Sequence, residues 1–459
     1  MLSSIPANSR SAGSHPAKHW MLALLLVAWS AGDLHGHSVV VVRGEEPTGP
    51  RVVLVAPAPA HAASIGVARQ IGTIPLERGV LTIVETEAVP GGNEVGTFLA
   101  EALPSDERPD WVWVHEGGVR ADARGEKITT PTIALRVAEG EDDFGPLARK
   151  AFGTEIAVFR EATDVPPAVA NRGTITFQYP AGTPPSRQVR YTRQLVLGLL
   201  RAEGAIAEDA AFDWEGLRAC APQLIAIYDA EGIGGSGPSR LERIAAERLE
   251  DAGIYRVCGE DIREGALAPA AGAIFPGGSG RGIGAGLHAE GRRILRDFID
   301  TGGGYVGVCA GAYFAASGLD NYLHAIRLRH SQPWRRGRAM LEIELTEEGK
   351  ALFGDQNPIL RTRYANGPVF LAADQPDGGD PDFVVLARFK TPSTDSSGTV
   401  RDEMIGEAAI GALEYGQGRA LIISPHPESH AEHYDFVARA IAWTLGQAPD
   451  SAPSNSCCP

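Results

Sequence analysis

The sequence predicts an α/β protein with two domains. Short apolar segments of strand length alternate with amphipathic helical segments in both halves of the chain, and residues 204–222 separate the two patterns. The length of 459 residues also suits two or three domains. In the second half, the alternation of strand and helix indicates a parallel-type sheet with helices on both faces.

Residues 1–36 have the order of an export signal. Arg10 and Lys18 precede the apolar run WMLALLLVA at residues 20–28, and small residues follow at 30–32. This apolar core is too short for a comfortable membrane span. We therefore expect a cleaved signal peptide and a secreted or periplasmic protein that has no membrane contact beyond this segment. An uncleaved membrane anchor is the alternative.

The first α/β domain is predicted to occupy residues 38–205, and residues 206–221 are predicted to be a linker. Its apolar, β-branched segments predict strands, and a longer amphipathic segment predicts a helix. The predicted strands are residues 51–56, 80–84 and 110–114, and the helix is residues 188–200.

The second domain is predicted to occupy residues 222–446, followed by a disordered tail at 447–459 that is rich in Pro, Ser and Ala. Strands are predicted at residues 224–228, 271–275, 304–308, 341–345, 383–389, 408–415 and 419–424. Helices are predicted at residues 239–252, 289–300 and 432–445.

Charge and cysteine usage exclude some classes of partner and cofactor. A net charge of −15 argues against nucleic acid or an anionic membrane as the partner. No Cys/His cluster has zinc-ligand spacing, and no cofactor is expected. Of the five cysteines, Cys220 and Cys258 could pair in an oxidising compartment, although spacing does not decide it. Cys457 and Cys458 lie in the predicted tail.

The segment GYVGVCAGAY at residues 304–313 is the most informative motif. A buried strand runs into a turn of small residues with Cys309 at its apex, and a helical segment follows at 310–316. This pattern is typical of a nucleophile elbow, in which glycines permit a strained turn and close packing. The helix N-terminus behind Cys309 favours a thiolate and can hold an oxyanion. The alternative is an inert, buried cysteine.

Two further segments supply the groups that such a nucleophile needs. His426 and Glu428 follow the predicted strand at 419–424, and they are two residues apart, so both side chains can point to one side. A cysteine nucleophile needs a base, and the base needs an orienting partner. The sequence PGGSG at 276–280 follows another strand, and its backbone N–H groups could approach a substrate oxygen. Further glycines at 282, 284 and 286 predict that this loop is mobile.

Together these segments resemble the class I glutamine amidotransferases, whose fold is flavodoxin-like. The longer segment GGGYVGVCAGAYF at 302–314 and the segment RYANGPVF at 363–370 are more similar to the amidotransferase-like domain at the N-terminus of fungal biotin-protein ligases. The resemblance covers about residues 222–446. The chain contains no adenylate loop or catalytic domain of a biotin ligase, so biotin ligation is not expected.

The resemblance also implies a role for each site residue. Cys309 would be the nucleophile, His426 the base and Glu428 the group that orients the base. Gly277 would line the substrate site, and the N–H groups of Gly278 and Ala310 would stabilise the oxyanion.

The first half weakly resembles a degenerate domain of the zinc carboxypeptidase and aspartoacylase superfamily. His61 and His115 lie where that superfamily has ligand histidines, but Ser64 replaces a carboxylate ligand and Gln178 replaces the catalytic glutamate. Two histidines without a third protein ligand make a poor zinc site. We therefore expect neither a catalytic zinc nor peptidase activity in this half.

These observations predict an exported cysteine hydrolase that cleaves a small-molecule or peptide amide, or a related acyl bond, through a Cys309-His426-Glu428 triad. Transfer of ammonia to a synthetase is less expected, because no ATP-using domain is recognised in the sequence. The alternative from another class is a non-catalytic binding or scaffold protein of the cell envelope with a vestigial site. A redox role of Cys309 through a sulfenic acid is a third possibility.

Overall fold

The computed structural model describes residues 38–86, 109–119, 132–137, 157–160, 173–328, 335–354, 356–370 and 382–447. Within them the protein is α/β, as predicted, with two large mixed sheets. The predicted signal peptide lies outside the described residues, and so does the predicted tail beyond its first residue. No helix in the described ranges is long and apolar enough to span a bilayer.

The first half contains a seven-stranded sheet in the order β1-β3-β2-β4-β7-β5-β6. Its strands are β1 (Ser38–Arg43), β2 (Glu46–Pro57), β3 (Arg78–Thr86), β4 (Trp111–Val119), β5 (Thr132–Val137), β6 (Ala157–Arg160) and β7 (Gly173–Pro180). Strands β3, β2, β4 and β7 are mutually parallel, and β1 and β5 pair antiparallel to them. The described helices here are α1 (Val67–Gly72) and α2 (Pro185–Ala202). All three predicted strands and the predicted helix are confirmed.

The second half contains a nine-stranded sheet in the order β13-β12-β14-β17-β18-β11-β10-β8-β9. Its strands are β8 (Gln223–Tyr228), β9 (Ala252–Val257), β10 (Gly272–Phe275), β11 (Gly304–Val308), β12 (Arg338–Leu345), β13 (Ile359–Ala365), β14 (Val384–Phe389), β17 (Ala408–Tyr415) and β18 (Gly418–Ile423). Strands β9, β8, β10, β11 and β18 are parallel, and the remaining four extend the sheet by antiparallel pairing. Two short strands, β15 (Ser393–Thr394) and β16 (Val400–Arg401), pair separately.

Helices cover both faces of the second sheet, as predicted. They are α3 (Gly237–Arg248), α4 (Gly259–Arg263), α5 (Gly280–Asp300), α6 (Ala310–Ala315), α7 (Glu347–Phe353) and α8 (Tyr434–Thr444). Alternate residues of β8 belong to different apolar cores: Leu224 and Ala226 pack with residues of α5 and α6, whereas Ile225 and Ile227 pack with residues of α3 and α8. Because side chains alternate across a strand, these cores lie on opposite faces of the sheet.

Two predictions in the second half are wrong in detail. The helix predicted at residues 239–252 ends at Arg248, and Ala252 begins the unpredicted strand β9. Asp251, with a φ of +58°, turns the chain between them. The glycine-rich stretch after PGGSG is not a mobile loop, because α5 begins at Gly280 and continues through a kink at His288. Close packing, rather than helix propensity, decides this stretch: a Cβ on Gly284 would lie 1.9 Å from Asn321 O.

The segment predicted to be a linker packs between the two sheets. Leu217 is fully buried and Trp214 is 5 % exposed, and both belong to the core of the second half. The Arg193 guanidinium lies 4.3 Å from the Trp214 ring centroid and pairs with Asp261 of α4. Ser64 Oγ donates a hydrogen bond to Glu242 of α3 over 2.6 Å. The two halves are therefore joined by buried polar contacts as well as by the chain.

Candidate active site

Cys309 lies at the apex of the turn between β11 and α6, as the elbow motif predicts. Its backbone has φ +50° and ψ −96°, a region that non-glycine residues rarely occupy. The N–H group of Cys309 donates to Ile423 O over 2.8 Å, which ties the turn to the end of β18. Gly311 lets the turn pack closely, because a Cβ there would lie 2.0 Å from Phe275 O. The fold thus holds a strained turn in place around a cysteine that is only 6 % exposed.

His426 and Glu428 lie just beyond the end of β18. His426 Nδ1 and Glu428 Oε1 are 2.7 Å apart, and the two residues are 8 % and 2 % exposed. Burial alone would lower the pKa of His426, but hydrogen bonds with Cys309 and Glu428, and their negative charges, raise it to about 10. The structure therefore brings the three predicted side chains together in the predicted order, and it favours a protonated imidazole at neutral pH.

Sheet topology explains this convergence. Strands β10, β11 and β18 are parallel neighbours, so the segments that follow them meet at one edge of the sheet. Gly277 follows β10 and packs against both other segments: a Cβ there would lie 2.9 Å from His426 Cε1 and 3.6 Å from Cys309 Cβ. The absence of a side chain at Gly277 is therefore what allows the imidazole and the thiol to share this space.

The two predicted oxyanion donors flank Cys309 from different segments. Gly278 has a φ of +148°, and a Cβ there would lie 2.0 Å from Gly232 O, so only glycine fits. Ala310 is the first residue of α6, where the N–H group has no partner within the helix. The described residues provide no backbone acceptor for either N–H group. Neither N–H group is therefore committed to a backbone hydrogen bond, which is a condition for an oxyanion donor.

A cavity of about 1210 Å³ opens beside Cys309. Cys309, His426, Glu428, Gly277 and Gly278 all line it. Ala310 is 1 % exposed and does not line the cavity, so of the two predicted oxyanion donors only Gly278 lies at the cavity wall. This volume is large enough for a drug-sized ligand or a short peptide.

Sequence reasoning assigned no role to several other residues of this cavity. They are mainly arginines from four different segments, together with an exposed methionine: Arg240, Arg281, Arg338, Arg363 and Met340. Arg363 opens the segment RYANGPVF, whose resemblance was noted without a function for this side chain. No spacing rule could have found the set, because β12 and β13 come together only in the folded sheet.

Of the four residues that resembled a zinc site, three are buried in the structure: Ser64, His115 and Gln178. His115 Nδ1 lies 2.8 Å from Thr192 Oγ1, and burial lowers the pKa of His115 to about 4, so its ring is neutral. Ser64 bonds to Glu242, and Gln178 is buried on β7. Among the described residues no group of three His, Cys, Asp or Glu side chains could hold a metal ion. The superfamily resemblance of this half stays a prediction.

The disulfide that the cysteine count left open does not form. Cys220, Cys258 and Cys309 are all free thiols, and Cys457 and Cys458 lie outside the described residues. Burial raises the pKa of Cys220 and of Cys258, which makes both poor nucleophiles at neutral pH.

Comparison with known proteins supports the resemblance of the second half. Residues 263–324 match the family model described as biotin-protein ligase, N terminal. The match includes the PGGSG segment and Cys309 but ends before His426. No curated protein matches the chain significantly.

Solved structures also resemble the chain. A structure described as a glutamine amidotransferase is 17 % identical, with a TM-score of 0.35, and the match covers 48 % of this chain and 98 % of the other. A cytoplasmic protein of Salmonella typhimurium LT2 is 8 % identical, with a TM-score of 0.33, and its match covers 48 % of this chain and 99 % of the other. Similarity of this strength does not identify an activity.

Proposed function

We propose that this protein is an exported, cysteine-dependent amide hydrolase that acts on a small-molecule or peptide amide. The observation that carries the proposal is His426, which is buried between Cys309 and Glu428 at the wall of an open cavity. A buried imidazole that contacts a carboxylate and shares a cavity wall with a thiol has the arrangement of a base, an orienting group and a nucleophile. The amidotransferase-like second half is the fold on which this arrangement lies.

In the first step, the Cys309 sulfur attacks the amide carbonyl carbon. The raised pKa of His426 favours transfer of the thiol proton to the imidazole, which leaves a thiolate. As the carbon–sulfur bond forms, an electron pair moves onto the carbonyl oxygen. The N–H groups of Gly278 and Ala310 would stabilise that oxyanion, a contribution of about 3–4 kcal/mol for one donor in a comparable site.

In the second step, the tetrahedral intermediate collapses. His426 donates its proton to the leaving nitrogen, the carbon–nitrogen bond breaks, and an amine leaves while a thioester remains on Cys309. His426, now neutral, accepts a proton from water, whose oxygen attacks the thioester. The carbon–sulfur bond then breaks, a carboxylic acid leaves, and the Cys309 thiolate is restored beside His426, which keeps the proton taken from water. Glu428 holds the ring orientation throughout through its 2.7 Å contact with Nδ1.

The proposal is tested by screening the purified protein against amide and peptide libraries. We expect amine release that Cys309→Ala abolishes and that the matched control Cys220→Ala retains. Mass spectrometry after rapid acid quenching should detect an acyl adduct on Cys309. Turnover that survives in Cys309→Ala would contradict the mechanism. Binding of amides without turnover by the wild-type protein would favour the non-catalytic scaffold.

A further inference from the structure

The cavity beside Cys309 is surrounded by positive charge. Arg240, Arg281, Arg338 and Arg363 line it, whereas the one carboxylate among its described lining residues, Glu428, already contacts His426. Among the described residues none of these four arginines is seen in an ion pair with a carboxylate; Arg240 instead donates to Ser429 Oγ over 2.8 Å. The chain as a whole carries a net charge of −15, so this concentration of cations is local to the cavity.

The pairing of residues between β12 and β13 shows which arginines have an acidic residue opposite them and which do not. On the solvent-facing side of this ladder, Arg361 lies opposite Glu342, so this arginine has an acidic residue across from it. At the cavity, Arg363 lies opposite Met340, and Arg338 lies opposite Ala365. The acidic partner is thus missing at the two arginines that face the cavity.

The same two arginines are held next to the proposed triad by the backbone. Arg363 O accepts a hydrogen bond from the His426 N–H group over 2.7 Å. Ala365 pairs with Arg338 across the two strands, and its carbonyl oxygen lies 3.6 Å from the Cys309 sulfur. A group bound by Arg338 and Arg363 would therefore share one cavity with a carbonyl carbon at Cys309.

We propose that the cavity selects amides that carry a carboxylate group, which Arg338 and Arg363 bind while the scissile carbonyl lies at Cys309. This inference rests on the proposed function and names its substrate class. The planar, permanently charged guanidinium can bind a carboxylate through two parallel hydrogen bonds. Met340, 46 % exposed, and Leu319 provide apolar surface for the carbon chain between the carboxylate and the amide.

A binding experiment tests the carboxylate preference without requiring turnover. Calorimetry on the Cys309→Ala variant would compare succinate, glutarate and adipate with their uncharged diamides. We expect at least one dicarboxylate to bind about tenfold or more tightly than its diamide, since a charge-assisted pair contributes about that factor. Adding Arg338→Gln and Arg363→Gln should remove this preference.

Arg361→Gln is the matched control, because it removes an arginine from the same strand and face but outside the cavity. It should retain the preference. Circular dichroism of all variants shows which of them remain folded. The Arg363→Lys variant keeps the positive charge but not the guanidinium, and it helps to separate loss of the anion site from loss of folding. Equal binding of diacids and diamides, or a preference that survives in the double variant, would overturn the inference.

Turnover of matched anilides separates the inference from the proposed function. Glutaryl-4-nitroanilide carries a terminal carboxylate, and its 4-carbamoylbutyryl counterpart carries a neutral amide of similar shape. We expect kcat/KM of the wild-type protein to be about tenfold or more higher for the charged anilide, and the ratio to approach one in Arg363→Gln. Equal cleavage of both anilides would overturn the inference alone. Diacid binding without cleavage of either anilide would contradict the proposed function alone.

Discussion

Cys309 has a strained backbone conformation and lies beside the buried pair of His426 and Glu428. A φ of +50° costs about 1–3 kcal/mol for a non-glycine residue, so the surrounding contacts must hold it. Those contacts are the 2.8 Å hydrogen bond to Ile423 O and the close packing of Gly311 on Phe275. In this conformation Cys309 lines the cavity together with His426.

The sequence alone could predict which residues meet here, because an elbow motif and a His-Pro-Glu segment each follow a buried strand. It could not predict the arginines of the cavity. Arg338 and Arg363 come from antiparallel strands whose register is decided by tertiary pairing, and arginine on an exposed strand face carries no signal of its own.

Replacement of Glu428 by Gln should lower the pKa of His426 from its value of about 10. The carboxylate raises that pKa by hydrogen bonding and by its negative charge, and Gln keeps the shape but not the charge. Nitrogen-15 NMR of the histidine rings measures the titration. Glu432→Gln is the control, because Glu432 is exposed and contacts His430 instead. An unchanged titration in Glu428→Gln would contradict the role of Glu428.

At the scale of elements, segments with a clear apolar pattern were predicted correctly, whereas boundaries and glycine-rich stretches were not. Strand β9 is not predicted, and the predicted helix extends into its first residue, Ala252, because six consecutive residues that are nearly all buried carry no distinguishing period. The first turns of α5 were mistaken for a loop because glycine is a poor helix former. In both cases, packing against neighbouring elements decided the structure.

The elbow depends on the close approach of α6 to β10, and Gly311→Ala tests this. Helix propensity would favour Ala by about 1 kcal/mol. The added Cβ would lie 2.0 Å from Phe275 O, however, and backbone must move to relieve that contact. We expect a net loss of about 1–3 kcal/mol in the free energy of unfolding, measured by urea denaturation.

Gly66→Ala is the control for this experiment. Gly66 has a φ of −75°, and a Cβ there would make only an ordinary contact of 3.7 Å with Pro59. It should change the free energy of unfolding by less than about 1 kcal/mol. If Gly311→Ala proves as stable as the wild-type protein, then the turn is less constrained than the structure implies.

At the scale of the whole molecule, two sheets are joined through a buried ionic cluster. Asp261 of the second half pairs with Arg190 and Arg193 of the first, and its side chain is 1 % exposed. Nothing in the sequence could predict this cluster, because its members are about 70 residues apart and lie in separate secondary elements.

Asp261→Asn should lower the free energy of unfolding by about 3–5 kcal/mol, because it leaves Arg193 charged and buried without its carboxylate. Asp297→Asn removes an exposed pair with Arg293 at 2.6 Å and should cost less than about 1 kcal/mol. Urea denaturation of both variants measures the difference. Equal, small effects would show that the junction between the halves does not depend on this charge.

Export of the protein is predicted from the order of charged, apolar and small residues at positions 1–36. We expect the mature chain to begin near His37 and to be recovered outside the cytosol. N-terminal sequencing of the purified protein from fractionated cells measures this. Recovery of Met1 from a cytosolic fraction free of envelope would contradict the prediction.

The central claim, that His426 activates Cys309, is tested most directly by the pH dependence of alkylation with iodoacetamide. Peptide mass spectrometry would follow Cys309 in the wild-type protein and in His426→Gln, with Cys220 in the same samples as an internal control. An imidazolium beside the sulfur stabilises a thiolate, so wild-type Cys309 should react readily at pH 6, where Cys220 does not. In His426→Gln, reaction at pH 6 should fall by about tenfold or more. The contrary result is that Cys309 reacts at the same rate in both proteins, and that this rate rises only as the pH approaches the pKa of a free thiol. In that case His426 does not activate Cys309 and the account is wrong.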